Sequence, residues 1–351
     1  MLAGRFRVQH ASSTHQLIEP SSLYSAAANC AISSTCTADE LLLSIKGAVI
    51  RPNGASRFPN NTRQESVELK PLVWSFDLPS GGASADGSAA KDCGVPKVYS
   101  QVEACEILSA FGGLYIAGDS FGRHVLSALL IILRDRIDGA VRDFATTEDC
   151  RGEQAFDDGK LCRNRIPFDT SVEMPDVFAP NRPFPTARVI QSFNSWRGSL
   201  SKHSQRLSPV FITAIGSHFD YKASDLFPDY IPSIISYLDR QYPVPLNLYA
   251  GPHKPGVNQP LQYRERQGPH KVLAFKEQVE RELLQKSIEK KGERGGARYI
   301  DFYAMSDGAT LFDGTHLGFI PNLEKAHLLL NLLDLWWADI AAAGGLVAAL
   351  E

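Results

Sequence analysis

The stretch Gly113-Leu114-Tyr115-Ile116-Ala117-Gly118-Asp119-Ser120-Phe121-Gly122-Arg123-His124 decides the fold of this 351-residue chain. Its apolar residues 114–117 are long enough for a buried strand, and the apolar run 125–133 has the length of a buried helix. Gly118 permits a sharp turn between the two. The stretch therefore predicts that Ser120 lies where a strand passes into the N-terminus of a helix.

Two interpretations of Ser120 follow from that position. Ser and Asp before a helix usually cap it, by accepting a hydrogen bond from a backbone N–H of the first turn. The unpaired N–H groups and the helix dipole also favour negative charge there, which suits a nucleophile whose attack creates an oxyanion. Taken alone, the stretch favours capping. A second segment favours the nucleophile.

That second segment is Asp313-Gly-Thr-His316, nearly two hundred residues downstream. A Ser hydroxyl is a poor nucleophile until a base takes its proton, and His is the usual base. The imidazole must be held in the right tautomer, commonly by a carboxylate on Nδ1, and an Asp three residues before the His can do this. The two segments together predict a catalytic triad of Ser120, His316 and Asp313.

Composition limits the classes of partner. The chain is 44% hydrophobic and 21% charged, as in soluble globular proteins, and its net charge of −3 gives no reason to expect nucleic-acid binding. No apolar run approaches the roughly 20 residues of a membrane span. Residues 1–7 are not followed by the hydrophobic stretch of a signal peptide. The oligomeric state is left open.

Six cysteines form three local pairs: Cys30 with Cys36, Cys93 with Cys105, and Cys150 with Cys162. An even number suits a disulfide-bearing secretory protein, although free thiols in a cytosolic enzyme fit the composition equally well. We expect a disulfide between Cys150 and Cys162, which bracket an Asp/Gly-rich segment. Because no pair has Cys-x-x-Cys spacing, a zinc site is not expected.

The chain divides near Cys93 into an N-terminal extension, 1–92, and a main domain, 93–345. The main domain alternates strand and helix patterns, which predicts an α/β fold with a mostly parallel sheet and helices on both faces. Strands are predicted at 48–50, 71–76, 114–117, 140–144, 188–193, 209–215, 245–250 and 297–303. Helices are predicted at 102–110, 125–133, 230–242, 274–291 and 323–340. Residues 148–185 are predicted to be a long irregular insertion.

Ligands of parallel sheets sit at the carboxyl ends of the strands. Four polar or aromatic side chains are expected to follow predicted strands at that edge. They are Ser120, Trp196, His218 and His253.

One alternative is the α/β-hydrolase fold of carboxylesterases and lipases. Residues 118–122 fit Gly-x-Ser-x-Gly, the nucleophile elbow of that fold, which has the same Ser-Asp-His order. Its acid, however, normally follows a different strand from its His. Its His-Gly-Gly-Gly segment is also absent, and Ser120 follows an early strand. This alternative ranks second.

The chain resembles the SGNH (GDSL-type) hydrolase superfamily, with Gly118-Asp119-Ser120 as first block and Asp313-x-x-His316 as last. It is most similar to the PC-esterase branch, which includes the trichome-birefringence-like polysaccharide O-acetyltransferases. Arg123 stands at the Arg of that branch's Gly-Asp-Ser-Leu-x-Arg. Two further segments, 216–219 and 249–253, and the wider last block, 313–321, are similar in order. The resemblance therefore spans roughly residues 93–340.

The resemblance implies a three-layer α/β/α sandwich and a serine esterase or transferase that handles O-acetyl groups on carbohydrate, without metal or cofactor. It implies that the Ser120 N–H binds the oxyanion, together with a group near Trp196 or Gly216. Arg123 would help there or pair with a carboxylate, and the secretory pathway is favoured.

The chain also departs from the family. Gly314 and Gly318 replace the two cysteines of its last block, and the Gly-x-Asn-Asp block of typical members is missing. A rival class is a non-catalytic carbohydrate-binding protein on the same fold.

Overall fold

A computed structural model describes residues 49–52, 74–77, 97–135, 156, 186–289, 296–306, 309, 311 and 313–342. The strands are β1 (Val49–Pro52), β2 (Trp74–Asp77), β3 (Leu114–Gly118), β4 (Val210–Ala214), β5 (Leu246–Ala250) and β6 (Ala297–Ile300). The longer helices are α1 (Gln101–Ser109), α2 (Ser120–Arg134), α3 (Thr186–Ser199), α6 (Tyr230–Leu238), α8 (Pro269–Glu289) and α10 (Phe319–Ala342). The shorter ones are α4 (Lys202–Arg206), α5 (Ala223–Leu226), α7 (Leu261–Gln267) and α9 (Phe302–Met305).

The main sheet has four parallel strands in the order β3-β4-β5-β6. Leu114 pairs with Val210, and Val210 pairs with Leu246, so the strands begin at the same level. Because they are parallel and in register, their carboxyl ends form one edge. This confirms the predicted α/β class and the mostly parallel sheet.

Both faces of the sheet are covered, as the sequence predicted. Side chains alternate between faces along a strand, so Ile116 and Ile212 lie in one core cluster while Tyr115 and Phe211 lie in the other. Helices α1, α2 and α10 pack on the first face, and α3, α5, α6 and α8 pack on the second. The architecture is compatible with a three-layer α/β/α sandwich.

Helix α2 is buried along most of its length, because it lies between the sheet and α10. A helix buried on nearly all sides must be apolar all round, which explains the run predicted as a helix at 125–133. Helix α10 is the longest of the described elements and begins earlier than predicted, at Phe319. It carries Glu324 and Lys325, which are both buried.

The strand predicted at 188–193 is wrong, because these residues lie in helix α3. The buried residues Val189 and Phe193 are four apart, which is the spacing of one helical face. A short run with β-branched residues does not distinguish strand from helix by periodicity. β6 also ends at Ile300, and α9 takes the place of the predicted strand's last residues.

The two strands predicted in the extension form an antiparallel pair, β1 with β2. Cys105 is an exposed free thiol, so it does not form the pair with Cys93 that the spacing suggested. The predicted Cys150–Cys162 disulfide, the strand at 140–144 and most of the insertion 148–185 lie outside the described residues. No helix in the described part of the chain is long and apolar enough to cross a membrane.

Candidate active site

Ser120 is the first residue of α2, directly beyond the carboxyl end of β3. Gly118 is required there by close approach, because a Cβ at this position would lie 2.7 Å from the carbonyl oxygen of Ala214 on β4. The Asp119 N–H donates to the same oxygen at 3.0 Å. The strand-to-helix turn is thereby held against β4, and Ser120 stays partly exposed at the edge of the sheet.

Three side chains form a hydrogen-bonded chain at this edge. Ser120 Oγ lies 2.8 Å from His316 Nε2, and His316 Nδ1 lies 2.6 Å from Asp313 Oδ2. Both contacts match the geometry predicted from the sequence. Because a carboxylate only accepts hydrogen bonds, Nδ1 carries the proton and Nε2 presents a lone pair to the Ser120 hydroxyl. That is the orientation a general base needs.

Asp119, not Ser120, caps helix α2. Its Oδ1 accepts the Phe121 N–H at 3.0 Å, which is a typical N-cap hydrogen bond. Its Oδ2 accepts from the backbone N–H groups of Gly216 and Ser217, both at 3.1 Å, and from Ser217 Oγ at 2.9 Å. The capping role is therefore taken by the Asp, which leaves the Ser120 hydroxyl to face His316.

A tight loop brings Asp313 and His316 together. Asp313 Oδ1 accepts from the N–H groups of Thr315 at 2.8 Å and His316 at 2.6 Å. Gly314 has φ 78°, and a Cβ there would lie 2.5 Å from the backbone of the loop that follows β5. Beyond the base, Asn322 Nδ2 donates to the carbonyl of Leu317 at 2.7 Å. The loop is thus held on both sides of His316.

The electrostatics of the site favour an ionised Asp313. Partial burial raises the pKa of its carboxyl, but hydrogen bonds from the His316 ring and backbone outweigh this and lower the pKa. His124 lies beside the triad, with its ring centroid 5.0 Å from that of His316. Burial, followed by the charges of neighbouring groups, holds the pKa of His124 well below its usual value.

His253 lies behind the triad loop and is shielded from solvent. It is 2% exposed; its Nε2 lies 2.5 Å from the Thr315 carbonyl oxygen and its Nδ1 lies 3.1 Å from Lys325 Nζ. Since both ring nitrogens bond to protein groups, the predicted substrate-binding role of His253 is wrong. Burial lowers the pKa of His253 well below its usual value, with a further contribution from the Lys325 charge.

Two other predicted residues do not join the site. Trp196 lies on α3 and its ring contacts Tyr115 and Gly113, at the amino end of β3, roughly 15 Å along the strand from Ser120. Its role at the oxyanion was therefore predicted wrongly, because the strand on which that prediction depended is a helix. The Gly216 N–H is already bonded to Asp119, so Gly216 is not an oxyanion donor either.

His218 and Arg123 remain predictions. His218 is exposed on a single turn of 3₁₀ helix, Ser217–Phe219, that follows β4 at the predicted edge. Arg123 is buried in α2, and its Nη2 lies 3.3 Å from His124 Nε2.

Sequence reasoning did not find Lys325. The local signal is weak, because Asn322, Glu324 and His327 lie beside this lysine in sequence and the segment does not look apolar. Burial lowers its pKa to about 7, against an opposing contribution from the Asp119 charge. Lys325 also lies 4.9 Å from the centre of the Phe302 ring.

Comparison of the chain with protein-family models, curated proteins and solved structures finds no match. Among the residues that the structure describes, no cluster of His, Cys, Asp and Glu is arranged to hold a metal ion. The interpretation of the site therefore rests on its own geometry.

Proposed function

We propose that this protein is a serine-dependent acyl ester hydrolase or acyltransferase. The observation that carries the proposal is the chain of contacts from Ser120 Oγ through the His316 ring to Asp313, at 2.8 and 2.6 Å. A nucleophile within hydrogen-bond reach of a base, and a base oriented by a third group, are the signature of covalent catalysis by serine.

The reaction would proceed by double displacement. His316 Nε2 takes the Ser120 proton while Oγ attacks the acyl carbon, and the carbonyl becomes a tetrahedral oxyanion. The Ser120 N–H, in the first turn of α2, has no carbonyl partner within the helix and is the first donor proposed for that oxyanion. The leaving alkoxide takes the proton from His316, which leaves an acyl-serine.

The second half reverses these steps with another acceptor. Water or a hydroxyl of an acceptor molecule gives its proton to His316 and attacks the acyl-serine, and Ser120 Oγ leaves with that proton. Water gives an esterase, and a sugar hydroxyl gives a transferase. The likeness to PC-esterases favours O-acetyl groups on carbohydrate as the substrate class.

The position of the acid bears on the α/β-hydrolase alternative. Asp313 and His316 share one loop, three residues apart, whereas that fold normally supplies the acid from a different strand end. This arrangement favours the SGNH-type interpretation over a carboxylesterase or lipase of the α/β-hydrolase fold.

A fluorophosphonate probe tests the proposal, because it forms a covalent bond only with an activated serine. We expect stoichiometric labelling of Ser120 in the wild-type protein and none in Ser120→Ala. An aryl acetate, offered with and without sugar acceptors, then separates hydrolysis from transfer. Absence of both labelling and aryl acetate turnover would instead support the non-catalytic carbohydrate-binding alternative.

A further inference from the structure

We infer that His253, held by Lys325, is a positioning residue for the triad, because it fixes the peptide group that precedes His316. The inference rests on the proposed function, since His316 is the base of that reaction. His253 acts through the loop and does not touch the reacting atoms.

The peptide group between Thr315 and His316 is bonded at both of its polar ends. His253 Nε2 lies 2.5 Å from the Thr315 carbonyl oxygen, and the His316 N–H donates to Asp313 Oδ1 at 2.6 Å. A peptide group is planar, so holding both ends sets the orientation of the plane. The direction in which the His316 side chain leaves the backbone is set with it.

The direction of the hydrogen bonds made by His253 depends on Lys325. A carbonyl oxygen can only accept, so Nε2 of His253 carries the proton and Nδ1 presents a lone pair. Lys325 Nζ, 3.1 Å from that lone pair, donates to it. Lys325 thereby selects the one neutral tautomer of His253 that can donate to the Thr315 carbonyl.

The ring of His253 also contacts the other half of the triad. Its centroid lies 4.1 Å from that of Phe121, the residue that follows Ser120. His253 and Lys325 are each 2% exposed, so bulk water does not compete for their hydrogen bonds. One buried ring thus contacts the helix of the nucleophile and the loop of the base.

Two substitutions of His253 distinguish positioning from filling space in the core. His253→Leu keeps an apolar side chain of similar size and removes the donor to Thr315, whereas the amide of His253→Gln can restore that donor. His327→Leu is the matched control, because His327 is 3% exposed on α10 and bonds to the Tyr99 N–H at 3.2 Å, away from the triad loop.

The first readout is steady-state kinetics on an aryl acetate. We expect His253→Leu to lower kcat by about 10²-fold, the order of loss that a 1 Å misplacement of a catalytic group causes, with KM within about twofold of wild type. His253→Gln should recover at least about tenfold of that loss. A His253→Leu protein with the kcat of His327→Leu would overturn the inference, as would a His253→Gln protein no better than His253→Leu.

The second readout needs no turnover. The proton of the His316 Nδ1–Asp313 hydrogen bond should give a low-field resonance, assigned by its loss in Asp313→Asn. We expect it to broaden or disappear in His253→Leu and to persist in His253→Gln and His327→Leu. A wild-type protein that lacks esterase activity but shows this dependence would refute the proposed function and keep the positioning role. An active wild type whose resonance is unchanged in His253→Leu would support the proposed function and refute the positioning role.

If His253→Leu does not fold, Lys325→Met tests the positioning role of His253 instead. It removes the donor to His253 Nδ1 without adding polarity to the core. We expect a fall in kcat of about tenfold and a weakened resonance, both with KM unchanged. An unchanged kcat together with an unchanged resonance would overturn the inference.

Discussion

The carboxylate of Asp119 accepts the backbone N–H of Gly216 at 3.1 Å, which joins the end of β3 to the end of β4. The same carboxylate caps α2 through the Phe121 N–H. Asp119 is 5% exposed, so these are charge-assisted hydrogen bonds in a buried setting. The residue before the proposed nucleophile is thus a structural element of the turn.

Asp119→Ala is predicted to destabilise the protein strongly. It leaves the buried N–H groups of Phe121, Gly216 and Ser217 without their acceptor, and we expect a loss of about 3 kcal/mol or more. Ser201→Ala is the control, because Ser201 caps exposed helix α4 alone and should cost about 1 kcal/mol. Denaturant unfolding of both variants measures the difference, and equal losses would contradict the prediction.

Asp313→Asn is predicted to abolish most activity and spare the fold. An Asn at this position can hold His316 in the wrong tautomer, and the corresponding change in serine proteases lowers kcat by about 10⁴-fold. Esterase assays and thermal melts on the same preparations measure both effects. Asp229→Asn is a suitable control, since Asp229 bonds to Thr186 and Ser233 near helix α6.

If Asp313 only caps its turn, the outcome differs. Asp313→Asn would then lower stability by about 0.5–2 kcal/mol and leave turnover unchanged. That result would remove Asp313 from the triad.

Gly314→Ala and Gly198→Ala should change the stability of the protein in opposite directions. Gly314 has a positive φ of 78° and a Cβ there would lie 2.5 Å from the backbone, so Gly314→Ala should displace the triad loop and reduce kcat. Gly198 lies in helix α3 with nothing within 4 Å of its Cβ position, so Gly198→Ala should stabilise the protein by about 0.4–1 kcal/mol. Thermal melts and kinetics on the pair test this, and a fully active Gly314→Ala would contradict the role assigned to the loop.

Lys325→Met is predicted to raise stability in a defined pH range. The pKa of Lys325 in the folded state, about 7, lies below its unfolded value of 10.5, so the unfolded chain binds more protons between these two pH values. Wild-type stability should therefore rise from pH 7 to 10.5, and the penalty of the buried ammonium is complete below pH 7. Lys325→Met should gain on the order of 3–4 kcal/mol at or below pH 7. Above pH 10.5 it should be less stable than wild type by about 1 kcal/mol, because His253 Nδ1 has lost its donor.

Glu324→Gln is the matched test in the adjacent residue, where stability should change with pH in the opposite direction. Burial raises the pKa of Glu324 from 4.5 to about 7, so the folded state binds more protons in that range and stability falls as pH rises through it. Glu324→Gln should match wild type below pH 4.5 and exceed it above pH 7. Unfolding curves across pH 4–11 test both residues, and a gain independent of pH in either variant would contradict the assignment.

The local pattern around Ser120 predicted β3, the turn and α2 correctly, because apolar length and glycine position act within a few residues. The spacing of Asp313 and His316 predicted their contact for the same reason, since three residues on one turn can only lie close together. The pattern at 188–193 failed where such local information was ambiguous. Residues 188–193 fit a short strand, but Val189 and Phe193 also have the spacing of one helical face. Packing of α3 against the sheet favours the helix.

The sequence by itself therefore determined the α/β class, the parallel strands and the residue types of the proposed triad. The tertiary structure alone decided that Asp119 is the cap, that Trp196 lies at the far end of β3, and that His253 lies behind the triad loop in contact with Lys325. The physical reason is the separation along the sequence over which each kind of interaction acts. Periodicity and turn chemistry depend on neighbours along the chain, whereas the partner of a buried polar group is set by elements that are distant in sequence, such as β5 and α10 for His253 and Lys325.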